Sequence, residues 1–129
     1  TYIFNDRSLV ENKICSEKKV ALTVLATVVS TPTKNRAIID AGSKVLTSDL
    51  FGMNDHGAVV NFPELRITQL SEEHGTIMSE QNTNLEIGQK IQIIPNHACV
   101  VTNMLDEVNL ITEEKKLKKV KVVARGKVW

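Results

Sequence analysis

The sequence predicts a mainly β domain, a small, partly closed β-barrel or sandwich with one or two short helical turns. Two observations carry this expectation. The β-branched residues, 15 Val, 11 Ile and 11 Thr, outnumber 7 Ala and 11 Leu, and branching at Cβ favours a pleated surface over a helix interior. About half a dozen short apolar runs are separated by Gly, Pro and Asn turn signals, the pattern of a sandwich or partly closed barrel. A chain of 129 residues with 16 Lys+Arg against 15 Asp+Glu is one ordinary domain, and near-neutral charge argues against a general nucleic-acid binder.

Taken in order, residues 2–4 (Tyr-Ile-Phe) read as the last strand of a preceding domain, and the polar stretch 5–19 as a crossover. Residues 20–30 (VALTVLATVVS) give the strongest strand signal, apolar on both faces, as expected of a central strand covered on both sides or bending round a small barrel. Pro32 and Asn35 mark a turn over 31–35, and 36–40 return as the second strand of a hairpin. Ser43 is placed to N-cap one or two helical turns over 43–50. Glycines at 52, 57 and 75 and Pro63 punctuate a middle of loops with short strands at 58–61 and 65–70. Gly88 turns the chain into an alternating strand that Pro95 ends. The tail reads as a hairpin, 108–112 and 120–128, about a Glu113–Lys116 turn.

No apolar run approaches the roughly 18 residues of a membrane span, and no signal peptide is visible. Two cysteines, Cys15 and Cys99, are too few for a disulfide scaffold and fit a reducing, cytoplasmic setting. The chain opens at Thr1 without an initiator Met, as expected of a fragment of a longer protein that begins at a domain boundary.

Chemistry concentrates in Pro95-Asn96-His97-Ala98-Cys99. Imidazole nitrogen and thiolate sulfur are ligands that Zn²⁺ takes at about 2.0–2.3 Å, and in an extended segment positions 97 and 99 project to one face. A buried Cys beside a hydrogen-bonded His is the plainer reading of the same pair. Ser71-Glu72-Glu73-His74-Gly75 puts an imidazole beside two carboxylates at a strand end, and Asp40 closes the apolar Ile38-Ile39; a solvated strand-to-loop junction and a capped turn are the simpler readings of the two. His56 reads as a loop residue, and the lysines at 115, 116, 118, 119 and 121 as a solvated hairpin, for they lack interleaved aromatics for base stacking.

Together these segments resemble the C-terminal β domain of the D-serine dehydratase and D-threonine aldolase family. The similarity runs through residues 1–6 (TYIFND), 21–30 (ALTVLATVVS), 36–44 (RAIIDAGSK), 71–75 (SEEHG), 95–99 (PNHAC) and 124–128 (ARGKV). The resemblance implies a single β domain over 1–129, the C-terminal part of a pyridoxal-phosphate enzyme whose alanine-racemase-like N-terminal barrel carries the cofactor lysine. It implies a metal, Zn²⁺ or another divalent ion, at His97 and Cys99, with Asp40, Glu73 and His74 lining the site and Asp40 or Glu73 as the carboxylate behind the ligating imidazole. It further implies a small β-hydroxy D-amino acid as substrate, with the N-terminal barrel as partner domain and a homodimer as assembly. His-X-Cys points to D-serine dehydration, D-serine to pyruvate and ammonia, whereas D-threonine aldolase chemistry, giving glycine and acetaldehyde, is the alternative. On this reading the isolated fragment is inactive. A non-enzymatic β-barrel binding module is the competing class.

Overall fold

A computed structural model describes residues 2–127; Thr1 and Val128, which belong to two of the resembling segments, and Trp129 lie outside the described residues. Among the described residues eight strands form: β1 (Val24–Thr33), β2 (Arg36–Ile39), β3 (Ala58–Val59), β4 (Arg66–Leu70), β5 (Gly75–Met78), β6 (Lys90–Ile94), β7 (Glu107–Ile111) and β8 (Leu117–Lys121). Short helices α1 (Arg7–Glu11), α2 (Ser43–Leu46) and α3 (Ala98–Asn103) join them. The first six strands make one antiparallel sheet in the order β3-β6-β1-β2-β5-β4. This sheet curls until its edges nearly meet, and the His56 N–H, just ahead of β3, donates to the Ile67 carbonyl of β4 at 3.0 Å. Register shifts in β1/β2 and at Ile67/Gln69 in β4/β5 supply the local bends that such curvature needs. The mainly β, nearly closed barrel expected from composition is the observed architecture.

One face of each of β1, β2, β4, β5 and β6 fills the barrel. Val24, Ala26 and Val28 of β1 meet Ala37, Ile39, Ile67, Ile77, Ile91 and Ile93 in a continuous apolar core, which Leu46 and Val101 of the helices close. β1 is central but is not covered on both sides: Leu25 is 66% exposed and Val29 40%, because a curled single sheet has only one interior. β1 also begins at Val24 rather than Val20. The Ala21 N–H donates at 2.7 Å to the Phe4 carbonyl, so the start of the apolar run is held by the N-terminal segment instead of the sheet. The strand continues past Pro32 to Thr33, which pairs with Arg36 about a two-residue turn, and a proline fits where the register already slips.

Other boundaries move for local reasons. Residues 2–4 form a turn rather than a strand, and the supposed crossover contains α1, supported by an Arg7–Glu11 pair at i,i+4. α2 is capped by Gly42, not Ser43, and stops at Leu46. Its free Ser43 and Lys44 N–H groups reach the Ser71 and Glu72 carbonyls at 2.8 and 3.1 Å. That approach leaves no room for a side chain at position 42, where a Cβ would lie 2.4 Å from the Glu72 carbonyl oxygen. Gly42→Ala is therefore expected to cost about 1–3 kcal/mol, read as a lower urea midpoint at unchanged slope.

β5 escaped the sequence reading because four residues beginning with glycine carry little periodicity. In the tail, the Thr112–Lys116 turn sets Ile111 opposite Leu117. β8 therefore runs out of partner at Lys121 instead of spanning 120–128. Cys15 is a free thiol. Among the described residues no helix is long and apolar enough to cross a membrane.

Candidate metal centre

His97 and Cys99 lie where β6 leaves the barrel. Pro95 and Asn96 are buried after the strand, His97 is the N-cap of α3 with extended φ −138°, and Cys99 falls in the helix's first turn. The segment is thus not extended, as the i,i+2 argument assumed. The helix begins there because the buried Asp6 carboxylate accepts the Ala98 N–H at 2.9 Å, satisfying a donor that the helix itself leaves open. Even so, Cys99 is close enough to the His97 ring to raise its pKa, so helix entry brings imidazole and thiol together as well as a strand would. Cys99 is exposed, whereas the His97 side chain keeps 20% of its surface accessible.

A short loop clasps His97. Asp49 Oδ2 lies 3.0 Å from His97 Nδ1, and Asp49 Oδ1 accepts the Phe51 N–H at 3.0 Å. The Phe51 ring stacks on the imidazole with centroids 4.2 Å apart and planes at 21°, a geometry in which aromatic rings attract. Burial lowers the His97 pKa, but Asp49 and Cys99 outweigh it and the net shift is upward. Asp49 moves down, chiefly through its bond to His97. The loop is strained: Thr47, a β-branched residue, sits at φ 62°, ψ 164°, and Phe51 at φ 48°, conformations that cost of order 1–3 kcal/mol each and concentrate at functional sites.

A buried polar network holds the other side. Arg7 Nη1 bonds Asp55 Oδ1 and lies 3.3 Å from Asn96 Oδ1, while Asn96 Nδ2 donates to the Asp55 and Leu50 carbonyls at 2.7 and 3.2 Å. The Arg7 N–H reaches the Pro95 carbonyl at 3.0 Å. The N-terminal segment is therefore a strap across the base of the His97 turn. Beyond Phe51 an open cleft of about 810 Å³ is lined by Arg7, Glu11, Asp55, Arg66 and Thr68, and its arginines are already paired with Asp55.

Asp40, Glu73 and His74 lie on the two turns beside α2 and find partners other than His97. Gly42 and α2 bring residues 40–44 against 71–75. Lys44 bridges Glu72 and Glu73 at 3.0 and 2.7 Å, and this lysine is the main cause of the lowered Glu73 pKa. His74 is exposed in the β4–β5 turn. Asp40 Oδ1 accepts the Thr27 N–H at 2.6 Å. The carboxylate behind His97 is thus Asp49, not Asp40 or Glu73. Sequence reasoning missed Asp49, Phe51, Asp6 and Arg7. The nearest signal was an aromatic beside glycine at 51–52, which marks a turn but not what the turn encloses. Among the described residues no group of three or more His, Cys, Asp or Glu side chains stands assembled as a metal set; His97 and Cys99 are two donors.

The family model described as "Putative serine dehydratase domain" matches residues 21–111. This chain belongs to that family. An uncharacterized protein of Mycobacterium tuberculosis is 34% identical over 131 residues, covering 97% of this chain and 98% of the relative. The D-serine dehydratase of Dictyostelium discoideum is 34% identical over 130 residues, covering 90% of this chain but 33% of the enzyme. Among solved structures, D-threo-3-hydroxyaspartate dehydratase with a cysteine replaced by alanine, described as metal-free, superposes with a TM-score of 0.76 at 25% identity over 93% of this chain and 36% of that one. These 129 residues thus span about a third of the length of both named enzymes and 98% of the mycobacterial relative.

Proposed function

We propose that this serine dehydratase domain is the metal-bearing part of a pyridoxal-phosphate enzyme acting on β-hydroxy D-amino acids, with conversion of D-serine to pyruvate and ammonia as its reaction. The observation that carries the proposal is the paired imidazole and thiol of His97 and Cys99, set at the mouth of a β-barrel with a carboxylate behind the imidazole. The donor chemistry suits Zn²⁺: borderline nitrogen and soft sulfur, with the remaining coordination positions left to water and substrate.

When bound, a divalent ion here supplies Lewis-acid stabilisation to the substrate hydroxyl, while pyridoxal phosphate, on a lysine of an N-terminal barrel, supplies the electron sink. This chain's own residues do the rest. His97 and Cys99 offer the two donors, Phe51 shields one face of the imidazole from water, and the Asp6–Ala98 bond fixes the start of the helix that presents Cys99. Asp40, Glu73 and His74 belong to the rim of the same opening in this proposal. The remaining two-thirds of the named relatives would correspond to the partner barrel, in a cytoplasmic homodimer, and the isolated 129 residues would be inactive.

Assay of the full-length protein with both D-serine and D-threonine tests the reading. Pyruvate and ammonia from D-serine are expected. Glycine and acetaldehyde from D-threonine, without pyruvate from D-serine, would transfer the domain to the aldolase branch, and turnover of neither would favour a binding module.

A further inference from the structure

We infer that Asp49 is a positioning residue that fixes the proton of His97 on Nδ1, so that the unprotonated Nε2 is presented outward as a metal donor. The inference rests on the metal reading of His97 and Cys99 proposed above.

An ionised carboxylate only accepts hydrogen bonds, and a neutral imidazole carries its single N–H on one nitrogen. With Asp49 Oδ2 at 3.0 Å from Nδ1, that nitrogen must hold the proton, and the lone pair is left on Nε2. The second oxygen of Asp49 is occupied by the Phe51 N–H, and the Asp49 N–H lies 3.3 Å from Thr47 Oγ1. The carboxylate therefore cannot swing away without releasing the loop. Phe51, held by that bond in a left-handed conformation, lies flat on the imidazole and restricts rotation about its χ2. Two contacts from one five-residue loop, the Asp49 hydrogen bond and the Phe51 stack, thus fix tautomer, ring plane and ring direction. Strain at Thr47 and Phe51 is retained in a loop whose other duties are slight: Ser48, Leu50, Phe51 and Gly52 are exposed and add little to the core. Partners that orient a ligating imidazole in this way typically raise metal affinity 10- to 100-fold.

The test combines Zn²⁺ affinity, measured against a competing chelator on the full-length protein, with ¹⁵N chemical shifts of the His97 ring in the metal-free state. Asp49→Ala is expected to weaken Zn²⁺ binding 10- to 100-fold and to convert a single Nδ1–H tautomer into a mixture. Asp49→Asn, whose single amide oxygen can accept the Nδ1 proton only by giving up the Phe51 N–H, should keep the tautomer but recover only part of the affinity. Asp49→Ala with unchanged affinity and unchanged ring shifts, while His97→Ala loses the metal, would overturn the inference and leave the metal reading standing. Wild-type Zn²⁺ affinity in His97→Ala would remove the metal reading itself.

Discussion

Replacing His97 or Cys99 with alanine should strip the full-length protein of stoichiometric zinc while leaving pyridoxal-phosphate absorbance intact. The two halves of this expectation follow from the division of the site: the metal donors lie at the end of β6 and the start of α3, whereas the cofactor lysine is assigned to another domain. Losing one of only two protein donors leaves a single ligand, too few to hold the ion against a chelator. If the metal contributes several kcal/mol to stabilising the departing hydroxyl, activity should fall by at least ~100-fold, since each 1.4 kcal/mol is tenfold. Metal analysis by atomic emission, read beside the cofactor spectrum, separates this from general unfolding. Stoichiometric zinc in either variant after chelator treatment would refute the assignment. Cys99 is exposed, so its removal creates no cavity, and Cys99→Ala is the cleaner of the two variants.

The parts of this site that were legible in the sequence are those whose chemistry is local. His97-X-Cys99 stands out because two metal-type donors two residues apart are uncommon beside a proline, and it does so whether the backbone is extended or, as found, turning into a helix. The barrel was legible for a similar reason: alternation in Val24, Ala26 and Val28 and in Ile91 and Ile93 is written into adjacent residues. What reaches across the chain was not. Asp49 meets His97 over 48 positions, and Asp6 meets Ala98 over 92, and neither aspartate differs locally from a turn residue. The polar stretch 5–19 looked like solvated crossover because Asp6, Arg7 and Ser8 are charged or hydroxylic. Their burial follows from partners, Asp55, Asn96 and the α3 N–H, that composition cannot reveal. The outward face of β1 shows the converse, since Leu25 and Val29 are apolar yet exposed, and a pattern that is apolar on both faces does not say which face the sheet encloses.

That buried strap yields the second large effect. Asp55→Ala is expected to destabilise the domain by about 3–5 kcal/mol, the usual consequence of leaving a buried charge without its counterion. The Arg7 and Asp55 side chains are 9% and 7% exposed, and Asp55 Oδ2 also lies 3.5 Å from Arg66 Nη1. Each half of the pair keeps one partly exposed partner when the other is removed. Arg7→Ala leaves Asp55 with Arg66, 58% exposed at 3.5 Å. Asp55→Ala leaves the Arg7 guanidinium with Glu11, 57% exposed at 3.1 Å, and the Asn96 oxygen. Urea unfolding should therefore give the two variants comparable costs, and a much smaller cost for Arg7→Ala would mean that Arg66 compensates where Glu11 does not. Replacing both members with apolar residues, as in Arg7→Met with Asp55→Leu, should recover much of the loss, because the desolvation penalty of the ions disappears with their attraction. The doubly replaced protein would then be stable while its Arg7-to-Asn96 contact is gone. If zinc affinity falls in it at near-normal stability, the strap's ionic pair serves the placement of the His97 turn more than the cohesion of the fold.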